Sequence, residues 1–465
     1  MKGKILSGTL AFLFLVLTAC AVTPKDPSDG KDPTDGPKEY HSEIPDYSAC
    51  DKVFYVGAFG EPRKLTYDTF KDAADLGVTH MYIDPWFNGT SYAHPDVLQK
   101  AFELCDDVGM KGIIMCDGLS GRKDYMSYKD YVAKVIENSG GSFGEDFKMT
   151  DWRGFGGFIF DEPLSECFPF FVEDYAKYKV DYPDSLYLIN MCASDTVYTN
   201  PDELFKHFSK EVLSGFEDNS RIFTIDSYPF THSSKDDVYR IGVNHAAYTE
   251  LASHWAKEAN APFYAYVQTM ATGFNSRCPD CIEDVRWQVG CNLAFGARGI
   301  ELFTYSYFPN DEFSGTCCVS VTGDKEETYY FFKQVFDEMH NWQKVYLSYD
   351  YLGTMVVDTD AISPNADDLK KLVYTLDGHK RIKNVSAQRD LLIGAFKDKD
   401  GYDGFLFNSY TDTYYKKYNE IRVEFNDASR VLYFINGEEK VEDLTDGVFE
   451  YEMECGDILF AIPLK

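Results

Sequence analysis

The sequence predicts an α/β protein: a (β/α)8 TIM barrel over residues 49–345, followed by a C-terminal antiparallel β-sandwich over 346–465. Two observations carry that reading. From residue 50 the chain repeats a short apolar run, a polar loop and an amphipathic helix, eight times in all, and strands alternating with helices pair in parallel. Eight such units, within a stretch of about 300 residues, match the count and size of a closed barrel. After Tyr346 the helical pattern stops, and short apolar runs separated by turn residues replace it.

The elements follow in chain order. Met1 to Lys4 is a short basic stretch and Ile5 to Leu17 an apolar one, too short to span a bilayer comfortably. It ends in Leu17-Thr-Ala-Cys20, which resembles the lipobox of bacterial lipoproteins. The resemblance implies that residues 1–19 are a signal peptide. It also implies that Cys20 is lipidated and becomes the new N-terminus, placing the protein on the extracytoplasmic face of a bacterial cell membrane. An ordinary cleaved signal peptide with a chance cysteine is the alternative. Two acyl chains on Cys20 would suffice for stable anchoring, where one is marginal. Residues 20–48 then carry Lys25-Asp-Pro-Ser-Asp-Gly30 and its near-repeat Lys31-Asp-Pro-Thr-Asp-Gly36. Proline-spaced polar repeats cannot bury a core, so this segment reads as a flexible tether.

The barrel strands are expected at Val53–Phe59, Val78–Asp84, Lys111–Asp117, Phe155–Glu162, Leu186–Met191, Ile222–Tyr228, Phe263–Gln268 and Gly299–Tyr305. Helices are expected at Thr66–Leu76, His94–Val108, Tyr128–Asn138, Pro169–Val180, Val243–Ala259 and Ile282–Phe295. A doubly wound open sheet would show the same alternation, but no Gly-x-Gly-x-x-Gly follows the first strand. Sandwich strands are expected around Val356 and at Leu372–Leu376, Leu391–Phe396, Gly404–Asn408, Ile421–Phe425, Val431–Ile435 and Ile458–Ile462. Asp-Gly pairs at 377–378, 400–401 and 446–447 mark turns between several of them.

Charge narrows the function. With 45 Lys and Arg against 76 Asp and Glu, the net charge is −31, which disfavours nucleic acid and anionic lipid as partners. Apart from Cys20, eleven cysteines remain, too sparse for a disulfide scaffold. Cys105, Cys116 and Cys192 lie in apolar contexts and read as buried thiols. Cys278-Pro-Asp-Cys281 and Cys317-Cys318 could together offer four thiolates to zinc, or form a local disulfide. A second Cys-x-x-Cys is missing, so neither a metal nor another cofactor is expected.

Barrel chemistry sits at the carboxyl ends of the strands. Those ends carry Asp84 and Trp86, Asp117, Asp161 and Glu162, Asn190, Asp226 and Tyr228, Gln268, and Glu301 with Tyr305. Carboxylates, amides and aromatics on one rim can hydrogen-bond hydroxyls and stack on sugar faces. Alternation puts Thr224, Asp226 and Tyr228 on one face, as it does Tyr264, Tyr266 and Gln268, and likewise Glu301, Phe303 and Tyr305. For each of these residues the plain alternative is a satisfied buried polar group that only stabilises the barrel.

Trp152-Arg-Gly-Phe-Gly-Gly-Phe-Ile-Phe-Asp-Glu-Pro163 resembles the strand-four segment of clan A glycoside hydrolases, in which the Glu is the general acid/base. The stretch Trp287–Tyr305 resembles their last helix and strand. The resemblance spans roughly residues 50–345 and implies a hydrolase of oligo- or polysaccharides. It also implies catalytic roles for Glu162, Asp226 and Asp161, and a sugar platform of Trp86, Tyr228 and Tyr305. One departure matters: where those enzymes carry a nucleophilic Glu at the end of strand seven, this chain has Gln268. Glu283 or Glu301, Asp226, or the substrate's own 2-acetamido group could replace it. The rival reading is a non-catalytic glycan-binding lipoprotein on a decayed hydrolase barrel. A surface scaffold without a sugar ligand is a third. The sandwich reads as packing support.

Overall fold

The computed structural model describes residues 40–465, apart from 85, 88–90, 93, 117–121, 218, 234–237, 243, 273–275, 308–312, 315–316, 360–367 and 412. The signal segment, Cys20 and the tether lie outside the described residues, as does Asp117. Among the described residues no helix is long and apolar enough to cross a membrane.

Eight parallel strands close into a barrel: β1 (Tyr55–Ala58), β2 (His80–Ile83), β3 (Lys111–Cys116), β4 (Phe155–Asp161), β5 (Leu186–Met191), β6 (Phe223–Ile225), β7 (Phe263–Gln268) and β8 (Gly299–Phe303). Each pairs with its sequence neighbours, and β8 pairs with β1 to complete the ring. Gly157 is needed where β4 meets β5. Its φ is +142°, and a Cβ there would lie 2.0 Å from the carbonyl oxygen of Leu186.

Eight helices surround the ring: α1 (Tyr67–Leu76), α2 (Pro95–Asp107), α3 (Tyr128–Asn138), α4 (Phe168–Asp181), α5 (Pro201–Glu211), α6 (His245–Glu258), α7 (Ile282–Ala294) and α8 (Glu327–Tyr346). Local chemistry starts several of them. Ser127 caps α3 by accepting from the Asp130 amide at 3.1 Å. Asn200 caps α5 ahead of Pro201, a residue whose fixed φ suits the first helical position. The hydrophobic pattern alone did not point to α5 or α8.

The strands of the sandwich are β9 (Tyr349–Val357), β10 (Ile382–Ala387), β11 (Leu391–Asp398), β12 (Asp403–Ser409), β13 (Asn419–Phe425), β14 (Arg430–Ile435), β15 (Glu438–Asp443), β16 (Val448–Met453) and β17 (Leu459–Leu464). A six-stranded sheet runs β9-β11-β12-β17-β14-β15, and a three-stranded sheet runs β10-β13-β16. Between them lies a core that includes Ile393, Phe405, Phe407, Val423, Tyr433 and Phe449. The other face of the large sheet offers Leu392, Phe396, Leu406, Phe434 and Phe460 to the core shared with the barrel helices. Phe434 and Phe460 pack on Trp342 of α8 with ring centroids 6.1 and 5.5 Å apart. Ten of the thirteen residues of α7 are consequently buried. At Gly290 the helix meets the sandwich so closely that a Cβ would lie 2.6 Å from the Asn408 amide nitrogen.

The strand expected at Leu372–Leu376 is instead an irregular segment. Its backbone donors find another acceptor: the Val373 and Tyr374 amides donate to the Glu250 carboxylate of α6 at 2.8 and 2.9 Å. Tyr374 also stacks on His254 with centroids 3.5 Å apart. A carboxylate that satisfies two consecutive amides removes the need for a ladder partner.

Candidate active site

The inner face of the barrel is aromatic. Tyr82, Ile113, Met115, Ile159, Leu188 and Tyr266 form its core, with Phe59, Tyr228 and Phe303 toward the carboxyl end. Much of the aromatic content is thus interior packing. Tyr55 stacks between His80 and Tyr264 at 4.4 and 4.5 Å.

Glu301 sits within this layer and not at the rim. Its exposure is 0%. The hydroxyls of Tyr82 and Thr224 donate to its two carboxylate oxygens, and Tyr82 in turn meets the Tyr55 hydroxyl at 3.0 Å. Burial raises its pKa from 4.5 to about 7. The expectation that Glu301 contacts substrate is corrected on this ground: both oxygens are occupied and no surface is free.

Tyr305 is corrected as well. β8 ends at Phe303, and Tyr305 is buried in the outer core near Cys318 and Tyr329. The inner-face series therefore stops at Phe303.

Gln268 is fully buried too. Its amide nitrogen donates to Ser276 Oγ at 2.8 Å and to the Arg277 carbonyl at 2.7 Å, and its oxygen accepts from the Phe230 amide at 3.1 Å. Those bonds pin the loop after β7 to the segment after β6. Gln268 thus acts as a brace, not as a ligand for substrate.

The carboxyl ends of β4, β5 and β6 do converge. Strict alternation would turn Asp161 and Glu162 to opposite sides. The strand ends at Asp161, and Glu162 adopts a left-handed φ of +44°, which returns its side chain to the mouth. An oxygen of Glu162, an oxygen of Asp226 and Cys192 Sγ all lie within 4.8 Å of one another. Burial raises the Asp226 pKa well above 3.8, and the neighbouring Glu162 and Asp161 raise it further. One oxygen of Asp226, Oδ1, has no partner. Asn190, 2% exposed, donates to Asp161 Oδ1 at 2.8 Å.

Tyr228, two residues beyond Asp226, is close enough for the three carboxyls to act on its phenol. It packs on Phe303 at 5.3 Å, and Phe303 packs on Phe59 at 5.1 Å. Burial and the carboxylates of Asp226, Asp161 and Glu162 hold its phenol protonated. Asp84 stands half-buried just past β2, its amide donating to Glu61 at 3.2 Å. Trp86 belongs to a two-residue strand, Trp86–Phe87, paired with Ser91–Tyr92.

Arg122, on the loop after β3, escaped the sequence reading. Its Nε donates to the Glu162 carbonyl oxygen and lies 3.6 Å from Glu162 Oε2. The rest of its guanidinium reaches Ser194 Oγ at 3.0 Å, the Ser194 carbonyl at 2.8 Å and Cys192 Sγ at 2.9 Å. A lone loop arginine between strand three and its helix is the only signal the sequence offered. Cys105, Cys116 and Cys192 are all buried. Cys192 proves to be a neighbour of the acid pair, its thiol pushed up to about 12 by burial and the adjacent carboxylates.

The four thiols considered for zinc do not form a metal set among the described residues. Cys281 instead neighbours Asp280 and Asp284. Asp284 is already bound by Arg277 through bonds of 2.6 and 2.9 Å.

No family model matches the chain, and no curated protein matches it in sequence. Solved structures do. An α-amylase from Anoxybacillus is 9% identical with a TM-score of 0.49, the match covering 89% of this chain and 98% of that one. A GH30 endoxylanase from Clostridium papyrosolvens is 9% identical with a TM-score of 0.42, covering 92% and 98%. A β-galactosidase from the psychrophilic Marinomonas ef1 is 8% identical with a TM-score of 0.45, covering 63% of this chain and 60% of the enzyme's own length. These are likenesses of fold.

Proposed function

We propose that the protein is a glycoside hydrolase that cleaves O-glycosidic bonds of oligo- or polysaccharides, held on the extracytoplasmic face of a bacterial membrane by lipid on Cys20. The supporting observation is the Glu162–Asp226 pair, whose oxygens lie within 4.8 Å of each other at the carboxyl ends of β4 and β6. Two carboxyls this close cannot both ionise readily, so the pair retains one proton where an ordinary carboxyl has lost it. Glu162, its side chain 33% exposed, is the member that reaches substrate. It gives the proton to the leaving oxygen as the bond to the anomeric carbon breaks and its electron pair passes to that oxygen. Asp226, as second carboxylate, holds the shared proton beforehand and faces the developing positive charge. Asp161, oriented by Asn190, adds to that field. Tyr228 is the surviving platform residue with a described position, and Trp86, Asp84 and Asp117 complete the proposed sugar contacts.

The close spacing bears on stereochemistry. Inverting pairs stand about 6.5–9.5 Å apart to admit water, and retaining pairs about 5–5.5 Å. Oxygens of Glu162 and Asp226 within 4.8 Å of each other fit the retaining spacing and leave no room for the water of an inverting pair. The new bond to the anomeric carbon then comes from Asp226 or from an acetamido group of the substrate itself, and water later displaces it.

The test is hydrolysis of a panel of oligosaccharides by wild type and Glu162→Gln. The substitution is nearly isosteric and should lower turnover by about 10²–10⁴-fold with the fold intact. Wild-type turnover in the variant refutes the assignment of Glu162. Binding without cleavage by the wild type would favour the glycan-binding reading, to which Gln268 in place of a nucleophile lends support.

A further inference from the structure

The loop joining β12 to β13 reads Tyr410-Thr-Asp-Thr-Tyr-Tyr-Lys-Lys-Tyr418, and the chemistry above leaves it unused. It belongs to the sandwich by chain connection but is bolted to the catalytic end of the barrel. Thr413 donates to Asp284, and Arg277, Asp284's partner, reaches Thr413 Oγ1 at 3.2 Å. The Arg277 guanidinium lies 4.2 Å from the Phe230 ring centroid, and Phe230 is four residues beyond Asp226. The Arg277 carbonyl is held by Gln268 at the carboxyl end of β7. Contacts therefore tie this loop to the segments that follow β6 and β7.

What the loop presents to solvent is unusual for this molecule. Tyr414 is 51% exposed and Tyr418 56%, and among the described residues only Tyr67 and Tyr330 are tyrosines of comparable exposure. Lys416 and Lys417 are exposed between them, with no carboxylate within ion-pairing distance among the described residues. In a chain of net charge −31, two neighbouring exposed lysines with no ion-pair partner among the described residues concentrate positive charge at one place. Tyrosine rings give large, rigid, amphipathic contact surfaces with a hydroxyl at the edge, a form suited to the C–H faces and hydroxyls of sugars. Lysines on flexible stems meet anions from either side. The repulsion from the rest of the acidic surface is screened beyond about 8 Å at physiological salt, so the local sign governs contact.

We propose that this loop is an outlying docking subsite for an acidic polysaccharide. Its sugars stack on Tyr414 and Tyr418, and its anionic groups meet Lys416 and Lys417. The inference deepens the hydrolase reading and rests on it for the direction of the chain toward the mouth. The anions could be carboxylates or sulfates, and the experiment separates the two.

The test is binding by affinity electrophoresis, using the folded chain carrying Glu162→Gln so that no substrate is consumed. The gels contain polygalacturonate, dextran sulfate or a neutral β-glucan. Retardation by one or both polyanions but not by the neutral glucan is expected, and which polyanion works identifies the anion. Lys416→Gln with Lys417→Gln should weaken that binding at least fivefold and flatten its salt dependence. Tyr414→Ala with Tyr418→Ala should weaken it about tenfold, and the Tyr→Phe pair should restore most of it. Circular dichroism confirms that each variant is folded. Equal retardation by the neutral glucan, no retardation by any gel, or unchanged binding in both double variants overturns the proposal. Because the readout is binding, these outcomes stand apart from whether Glu162 cleaves a bond.

Discussion

Glu301→Gln offers a quantitative test of the barrel interior. Glu301 is fully buried, its oxygens take hydroxyl donors from Tyr82 and Thr224, and its pKa is raised from 4.5 to about 7. Between those values the native state keeps a proton that the unfolded chain has released. The unfolded state then binds fewer protons, so native stability falls as pH rises through this window. Each pH unit costs about 1.4 kcal/mol, and the window from 4.5 to about 7 sets a ceiling of about 3 kcal/mol. Glutamine mimics the neutral acid and cannot ionise. The variant should therefore match wild type near pH 4 and gain on it progressively, reaching a plateau of up to about 3 kcal/mol above pH 7. Urea unfolding of both proteins at closely spaced pH values measures the difference, which cancels the titration of every other group. A difference independent of pH, or one in which wild type gains on the variant as pH rises, would refute the account of Glu301 as a buried acid.

Further predictions concern the mouth, the brace and the anchor. Asp226→Asn should slow cleavage of an activated aryl glycoside, whereas Glu162→Gln should spare its glycosylation step, since a good leaving group needs no proton; burst kinetics distinguish the two. The alkaline limb of kcat/KM in the wild type should lie well above 3.8, because burial and the neighbouring Glu162 and Asp161 keep the Asp226 carboxyl protonated past the range of an ordinary aspartate; a limb near pH 4 contradicts that account. Arg277→Met leaves Asp284 buried without its cation and should cost about 3–5 kcal/mol in urea unfolding. Cys20→Ser should release the folded chain from the membrane fraction or stall its processing, as fractionation and mass spectrometry of the N-terminus would read.

The eight barrel strands were legible because each is a buried apolar run followed by an amphipathic helix, and period alone separates the two. β3, β5 and β7 begin at the expected residues. The sandwich was less legible where burial is absent. β11, buried along nearly its whole length, was expected over Leu391–Phe396, whereas β15, Glu438–Asp443, is exposed throughout and shows no half-buried alternation. At the mouth, alternation along β6 put Thr224 on the inner face, and the chain past its end at Ile225 still brings Asp226 to Glu162 and Tyr228 to Phe303. It failed for Tyr305, where β8 has already ended.

By itself, then, the sequence determined the order of elements, the change of architecture after Tyr346 and the strand ends that bear acids. These are local properties, written in hydrophobic period and turn residues. Only the tertiary structure decided which of those acids meet. Glu162 joins Asp226 through one left-handed residue and an arginine from a distant loop, while Glu301 is enclosed by hydroxyls from two other strands. Whether a carboxyl is a shared acid, a buried support or a partner in an ion pair depends on the dielectric and the charges brought around it by residues far away in the chain. No local pattern encodes that.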